Sequence, residues 1–183
     1  MVLLVIGVAA ALIVVWFIAS YNGFIKLRNK TQEAFSAMDV ILKKRYDLIP
    51  NVVETVKGYA KHEKSTLENV IKARNAAVNS GSPDEVIRND NVLTGTLKSL
   101  FALSENYPDL KANTNFLDLQ KQLSKIEDEI SSSRRYYNAV VNRFNTKVEM
   151  FPSNLVALIF HFTRKPLYEV KDENERENVK VSF

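Results

Sequence analysis

Val2 to Ala19 is unbroken apolar sequence apart from Gly7, and the first charged side chain in the chain is Lys26. At ~1.5 Å per residue such a stretch makes a helix of roughly 27 Å, about the thickness of a bilayer's hydrocarbon core. Trp16, Phe17 and Tyr21 stand at its end, where amphipathic rings favour the membrane–water boundary. The pattern predicts a retained anchor over residues 1–21, with residues 2–19 in contact with lipid. The layout of a cleaved signal peptide fits less well. No basic residue precedes the run, Phe17-Ile18-Ala19-Ser20 is a poor cleavage site, and without cysteine a lipoprotein anchor is excluded. Lys26, Arg28 and Lys30 follow the span at once, with Lys43, Lys44 and Arg45 behind them. Positive charge stays on the cytoplasmic side, so the expected placement is in the cell membrane, single-pass, N-terminus outside and body cytoplasmic.

Beyond the anchor the apolar positions step by three and four, the spacing of bundled helices. Phe24, Leu27, Ala34, Met38 and Ile41 form one stripe, with Thr31 in the missing place, and the helix is expected to continue directly from the span, with Asn22-Gly23 a place where it can bend. It is predicted to stop near Asp47-Leu48-Ile49-Pro50, because the residue before proline avoids the α region and proline suits a first turn. Asp47 would then sit near the start of a second helix, which takes Val52, Val56, Tyr59, Leu67, Val70 and Ala77 on one face and tolerates Gly58 inside. Ser80-Gly81-Ser82-Pro83-Asp84-Glu85 is the clearest boundary: a Gly81 cap, Ser82 as N-cap, Pro83 in the first turn and Glu85 closing a capping box. A third helix carries Val86, Leu93, Leu97 and Leu100 and ends at Tyr107-Pro108. A fourth runs from Phe116 through Leu123, Ile130, Tyr137 and Phe144 to Val148. Phe151-Pro152 breaks it. Leu155 to Phe160 is apolar but too short to cross a bilayer, and is expected to fold back on the bundle, with the membrane interface as the alternative.

The expected fold is therefore all-α: an N-terminal transmembrane helix followed by an elongated antiparallel bundle of about four long helices. The bundle domain occupies 22–168 and a mobile charged tail 169–183. Only five Gly and five Pro in 183 residues leave little material for the turns of a β protein. The net charge is +4, yet 25 basic residues are interleaved with 21 acidic ones. That is the solvated face of long helices rather than a nucleic-acid stripe, and no nucleic acid is expected as a partner.

Candidate chemistry is sparse. There are two histidines and no cysteine, and no glycine-rich phosphate loop. A di-iron bundle needs Glu-x-x-His on facing helices, but Tyr59 precedes His62 by three and Leu158 precedes His161 by three. His62-Glu63 matches the phosphoacceptor pair of sensor histidine kinases without any nucleotide-binding domain beside it. No catalytic, metal or cofactor residues are assigned. What remains lies along the packing seams: Arg28, Asp39 and Tyr46 on one flank of the first stripe, and Arg134, Asn138 and Asn145 on one flank of the fourth helix. Either these pair across helices and fix register, or each extends to water.

Leu42-Lys43-Lys44-Arg45-Tyr46-Asp47-Leu48-Ile49-Pro50-Asn51, Glu54-Thr55-Val56-Lys57-Gly58-Tyr59-Ala60, Arg135-Tyr136-Tyr137-Asn138 and Phe151-Pro152-Ser153-Asn154-Leu155 closely resemble the bacterial LemA family. Phe35 stands where that family usually has Trp, and Leu158 to Thr163 lacks a glycine-rich turn often found there. The resemblance implies a single-pass membrane protein with a helical body, often encoded near membrane proteases or TPM-domain proteins, and it supplies no reaction. Two functions stay open. One is a non-enzymatic scaffold or adaptor that docks a membrane-associated protein, using Arg28, Asp39, Lys43, Lys44, Arg45, Asp47, Lys57, Arg134 and Asn138 for docking and helix positioning. The other is an enzyme or small-ligand receptor with a polar site between helices around Asp39 and Arg134. The scaffold is favoured because it needs only exposed helix surface.

Overall fold

The computed structural model describes residues 1–169, and every regular element among them is a helix. They are α1 (Val2–Tyr59), α2 (Lys64–Val78), α3 (Pro83–Ser104), α4 (Pro108–Lys111), α5 (Thr114–Glu149) and α6 (Ser153–Ile159). The chain forms two compact units. The first comprises Met1–Ile41 with Asp128–Leu167; the second comprises Leu42–Glu127 with Tyr168 and Glu169. Of the expected charged tail, Glu169 accepts a hydrogen bond on its carbonyl from the Asn91 amide at 3.0 Å; 170–183 lie outside the described residues.

In the first unit, α1 runs through Asn22-Gly23 without a break. Residues 1–16 are exposed throughout. An apolar helix with no protein packed on it is what lipid accommodates, and this is the chain's one candidate membrane anchor among the described residues. Past the anchor the predicted stripe is buried: Phe24, Ala34 and Met38 from α1 with Ile130, Tyr137, Val140, Val141 and Phe144 from α5. Thr31 fills its place on the stripe by donating its hydroxyl to the Arg28 carbonyl at 2.7 Å. Aromatic pairs set an antiparallel register, Phe35 against Tyr137 at 5.9 Å and Phe24 edge-on to Phe144 at 6.1 Å. The Lys147 side chain lies across Gly23, its Nζ where a Cβ would otherwise meet it, and that Nζ is 4.9 Å from the centre of the Phe24 ring. Burial at that spot lowers the Lys147 pKa below its ordinary value.

α6 closes this unit. Its chain reversal follows the Schellman pattern: the Phe162 N–H bonds the Ala157 carbonyl at 2.9 Å and the His161 N–H reaches that of Leu158 at 3.4 Å. His161 takes the left-handed conformation, φ 55, that a glycine would adopt freely. The turn is thus made without the glycine-rich sequence that the family resemblance led one to expect. Val156 and Ala157 are buried against Phe24 and Phe144, with Phe162 stacked on Phe24 at 4.7 Å. The apolar patch does fold back on the body.

The second unit corrects one expectation. Ile49-Pro50 does not end a helix: α1 continues to Tyr59 with Pro50 inside it, and Asp47 is an exposed mid-helix residue rather than a helix-start carboxylate. Proline in a helix interior removes one hydrogen bond and crowds the carbonyl four residues earlier, at a cost of about 3 kcal/mol. That carbonyl belongs to Tyr46, and it accepts instead from Arg74 Nε of α2 at 3.3 Å. The break falls later, at Ala60–Glu63, and α2 returns alongside the end of α1. The count of four long helices survives because the boundary has only moved.

The loop before α3 follows its sequence closely. Ser82 Oγ accepts from the Glu85 N–H at 3.3 Å, and Glu85 Oε2 accepts from the Gly81 N–H at 2.8 Å. Gly81 itself needs no left-handed conformation, since no glycine has a positive φ. Val86, Leu93, Leu97 and Leu100 are buried as predicted. α4 is an unpredicted single turn, and Asn113 Oδ1 then caps α5 by accepting from the Phe116 N–H at 2.9 Å. Tyr107 donates its hydroxyl to Glu63 at 3.1 Å; partial desolvation, then that bond and the Glu63 charge, raise its pKa.

Replacing Arg74 with Met removes the Nε donor from the Tyr46 carbonyl and should lower stability by about 1–2 kcal/mol. Pro50→Ala restores an N–H to that carbonyl, so the same Arg74 change should cost markedly less in the alanine background. Urea melts of the four proteins measure the difference; equal costs in both backgrounds would show that the Arg74 bond does not compensate for the proline.

Candidate functional site

Arg45 and Tyr46 lie on α1 between Leu42 and Ile49, one helical step from each, so the stripe that buries those two also carries Arg45 inward. The Arg45 side chain is 4% exposed and the Asp90 side chain 0%. Arg45 Nη1 donates to Asp90 Oδ1 at 3.1 Å. Its Nη2 donates to Thr94 Oγ1 at 3.0 Å and lies 3.3 Å from Glu127 Oε2 of α5. Thr94 in turn donates its hydroxyl to the Asp90 carbonyl at 2.9 Å. The Tyr168 hydroxyl donates to Asp90 Oδ2, and the Tyr46 hydroxyl makes a long contact with Oδ1 at 3.5 Å. Both carboxylate oxygens are therefore occupied by protein donors, and the cluster has no exposed face on which a substrate would meet Arg45 or Asp90. Its chemistry is that of a helix clamp.

The remaining residues singled out in the sequence lie elsewhere. Arg28, Asp39, Lys43, Lys44, Asp47 and Lys57 are all exposed on α1, and Lys57 pairs with Glu54 at 3.2 Å. Asp39 faces solvent and so belongs to no buried polar site. Arg134 and Asn138 of α5 are half-buried. Asn145, from the same flank, is buried and clamps the backbone of Lys165: its Nδ2 donates to the carbonyl at 2.9 Å and its Oδ1 accepts from the N–H at 2.8 Å. Arg45 must be removed from the docking set, since its guanidinium is enclosed. Asp90, Glu127 and Tyr168 were missed. Asp90 had a readable signal, for it occupies the stripe position between Val86 and Leu93 where an apolar residue is expected. Tyr168 gave none, because its partner lies 78 residues away.

One concave surface stands open in the second unit. A groove of about 900 Å³ separates the last turns of α1 from α2. Pro50, Val53, Leu67 and Ile71 supply its apolar lining, while Lys57, Lys61, Lys64 and Lys72 outnumber Glu54 and Glu68 along it. Among the described residues no group of three or more His, Cys, Asp or Glu gathers to hold a metal ion.

Breaking a buried ion pair from one side typically costs about 3–5 kcal/mol, because the other charge is left unpaired in the core. Asp90→Leu should therefore destabilise the protein by that order. Adding Arg45→Met should recover most of the loss, as measured by denaturant melts of the full chain in micelles. A double variant no more stable than Asp90→Leu alone would mean that the carboxylate holds Tyr168 and Thr94 rather than balancing the guanidinium.

The family model described as LemA family matches residues 34–183. Protein LemA of Metamycoplasma hominis is 29% identical over 170 residues, covering 91% of this chain and 76% of that protein. Magnetosome protein MamQ 2 of Paramagnetospirillum magneticum is 26% identical over 194 residues, covering 90% of this chain and 71% of that one. Magnetosome protein MamQ of Magnetospirillum gryphiswaldense is 22% identical, covering 82% of this chain and 65% of its own. With the family match running from the middle of α1 across every later helix, the chain belongs to the LemA family.

Proposed function

We propose that this protein is a membrane-tethered helical adaptor that docks another membrane-associated protein and performs no catalysis. The observation that carries the reading is the continuity of α1. A single helix leaves the anchor with Arg28 and Asp39 exposed on its first-unit part; on its second-unit part Lys43, Asp47 and Lys57 fall within a sector of roughly 80°, taking 100° per residue. Lys44 lies beside that sector, and the lysine-rich groove against α2 lies at its far end. Such a surface offers a partner charge and shape without asking for convergent titratable groups. The enclosed state of the Arg45–Asp90 pair supports the same reading, since the strongest polar cluster of the second unit is committed to holding helices.

The basic flank Lys26, Arg28 and Lys30 supports a body on the cytoplasmic side with the N-terminus outside. The exposed Gly81 loop is the point at which to test this. Protease added to right-side-out cells should leave it intact and should cut it in inverted vesicles. Cutting from outside a sealed cell would reverse the orientation.

Docking is tested by reversing charge on the exposed side of α1. Lys43→Glu with Lys44→Glu should reduce crosslinking to membrane proteins in the native membrane, while stability moves by no more than about 0.5 kcal/mol, as is usual for surface changes. Retention of every crosslinked protein by this variant, together with loss of a measurable turnover in Asp39→Asn, would replace the adaptor with an enzyme.

A further inference from the structure

α6 has two faces, and only one of them is used by the protein. Val156 and Ala157 are buried, whereas Leu155 is 49% exposed, Leu158 75%, Ile159 58% and Phe160 42%. At the end of α5 just before it, Met150 is 57% exposed and Phe151 78%. We propose that this corner is a second membrane contact, seated in the interfacial layer of the bilayer beside the anchor.

Continuity with the anchor is the argument. The Phe160 ring lies 4.6 Å from that of Tyr21 and 5.8 Å from that of Phe17. Those two residues stand at the boundary end of the apolar span, so Phe160 shares their depth. The antiparallel register of α5 leads toward the same level: Phe144 meets Phe24 and Lys147 lies against Gly23, while Met150 and Phe151 share a shallow surface with Leu27. An apolar surface placed there meets acyl chains and headgroups, not bulk water. α6 carries no charged residue, and the cations around it, Lys147 over the Phe24 ring, Lys165 over the Phe144 ring and Arg164, outnumber the carboxylate that binds Arg164, Glu149 at 2.9 Å. An apolar wedge beneath a cationic rim is the arrangement that holds peripheral helices at an anionic bilayer surface. The reversal at His161 then turns the chain away from the bilayer, and the Asn145 clamp on Lys165 returns it along α5. The contact rests on the anchor and is independent of docking on α1.

The sequence has no cysteine, so single-cysteine variants need no prior substitution. Phe151→Cys and Leu158→Cys would each be labelled with an environment-sensitive fluorophore in the full chain, reconstituted in phosphatidylcholine–phosphatidylglycerol vesicles. Val40→Cys, 60% exposed on the solvent side of α1, gives the aqueous reference, and Val8→Cys reports the anchor. Blue-shifted emission, quenched by lipid carrying a nitroxide near its headgroup, is expected at 151 and 158 and not at 40. Quenching by a nitroxide deep in the acyl chain is expected at 8. Emission at 151 and 158 indistinguishable from that at 40, with position 8 still quenched, overturns the contact and leaves the anchor standing. Absence of quenching at 8 overturns both. Labels that are wet in purified vesicles but dry in native membranes would assign the corner to a protein partner and likewise overturn the lipid contact.

Discussion

The guanidinium of Arg45 and the carboxylate of Asp90 are both withdrawn from water, and the second unit is organised around meeting that cost. Desolvating such a pair takes several kcal/mol per ion, and mutual attraction offsets it only where further hydrogen bonds satisfy the remaining donors and acceptors. Thr94, Tyr168 and Glu127 supply them from α3, from the chain beyond α6 and from α5. The next residue, Tyr46, reaches α2 through its carbonyl and Arg74. Two consecutive residues of α1 thus make polar contact with every other long helix of that unit. Apolar packing tolerates sliding; a buried pair with this many directional partners does not.

The same pair of residues explains why α1 survives its proline. Left alone, Pro50 would end the helix or kink it, because the Tyr46 carbonyl loses its N–H and is pushed outward. Pushed outward, it becomes available to a side chain on a neighbouring helix, and Arg74 is there to take it. Tertiary structure has overridden a local rule at the one site where a donor was in reach. The consequence is that the exposed charges from Arg28 to Lys57 stay on the helix that carries the anchor.

Most of the architecture was legible because burial follows period. Phe24, Met38, Leu93, Leu100, Phe116, Ile130 and Phe144 are all buried where stripe positions placed them. The loop at Ser82 was legible because capping is local chemistry. The boundary at Pro50 was misplaced because proline's local penalty was read without the arginine that relieves it, which arrives 24 residues later. Arg45 was grouped with the exposed charges of α1 for docking and helix positioning, although its spacing from Leu42 and Ile49 put it on the buried stripe. Asp90 shows the same signal between Val86 and Leu93. A charged residue in phase with an apolar stripe marks a buried pair, and two such residues on different helices are each other's natural partners. Glu127 carries the same mark between Leu123 and Ile130; Tyr168 carries none.

The distribution of polarity argues for a protein that works by its surfaces. In the second unit the strongest polar interactions are enclosed and mutually satisfied, which suits stability and register rather than turnover. What stays open is of two kinds: charged side chains along α1 with the lysine-lined groove beyond them, and apolar side chains on the outer face of α6. The first kind needs a partner in water and the second a partner without it. A chain held by an apolar span and braced by an apolar corner would resist turning about the anchor, because rotating the first unit would pull Leu158 and Phe151 out of the interface. The anchor alone leaves that rotation free. A corner seated in the interfacial layer would remove it.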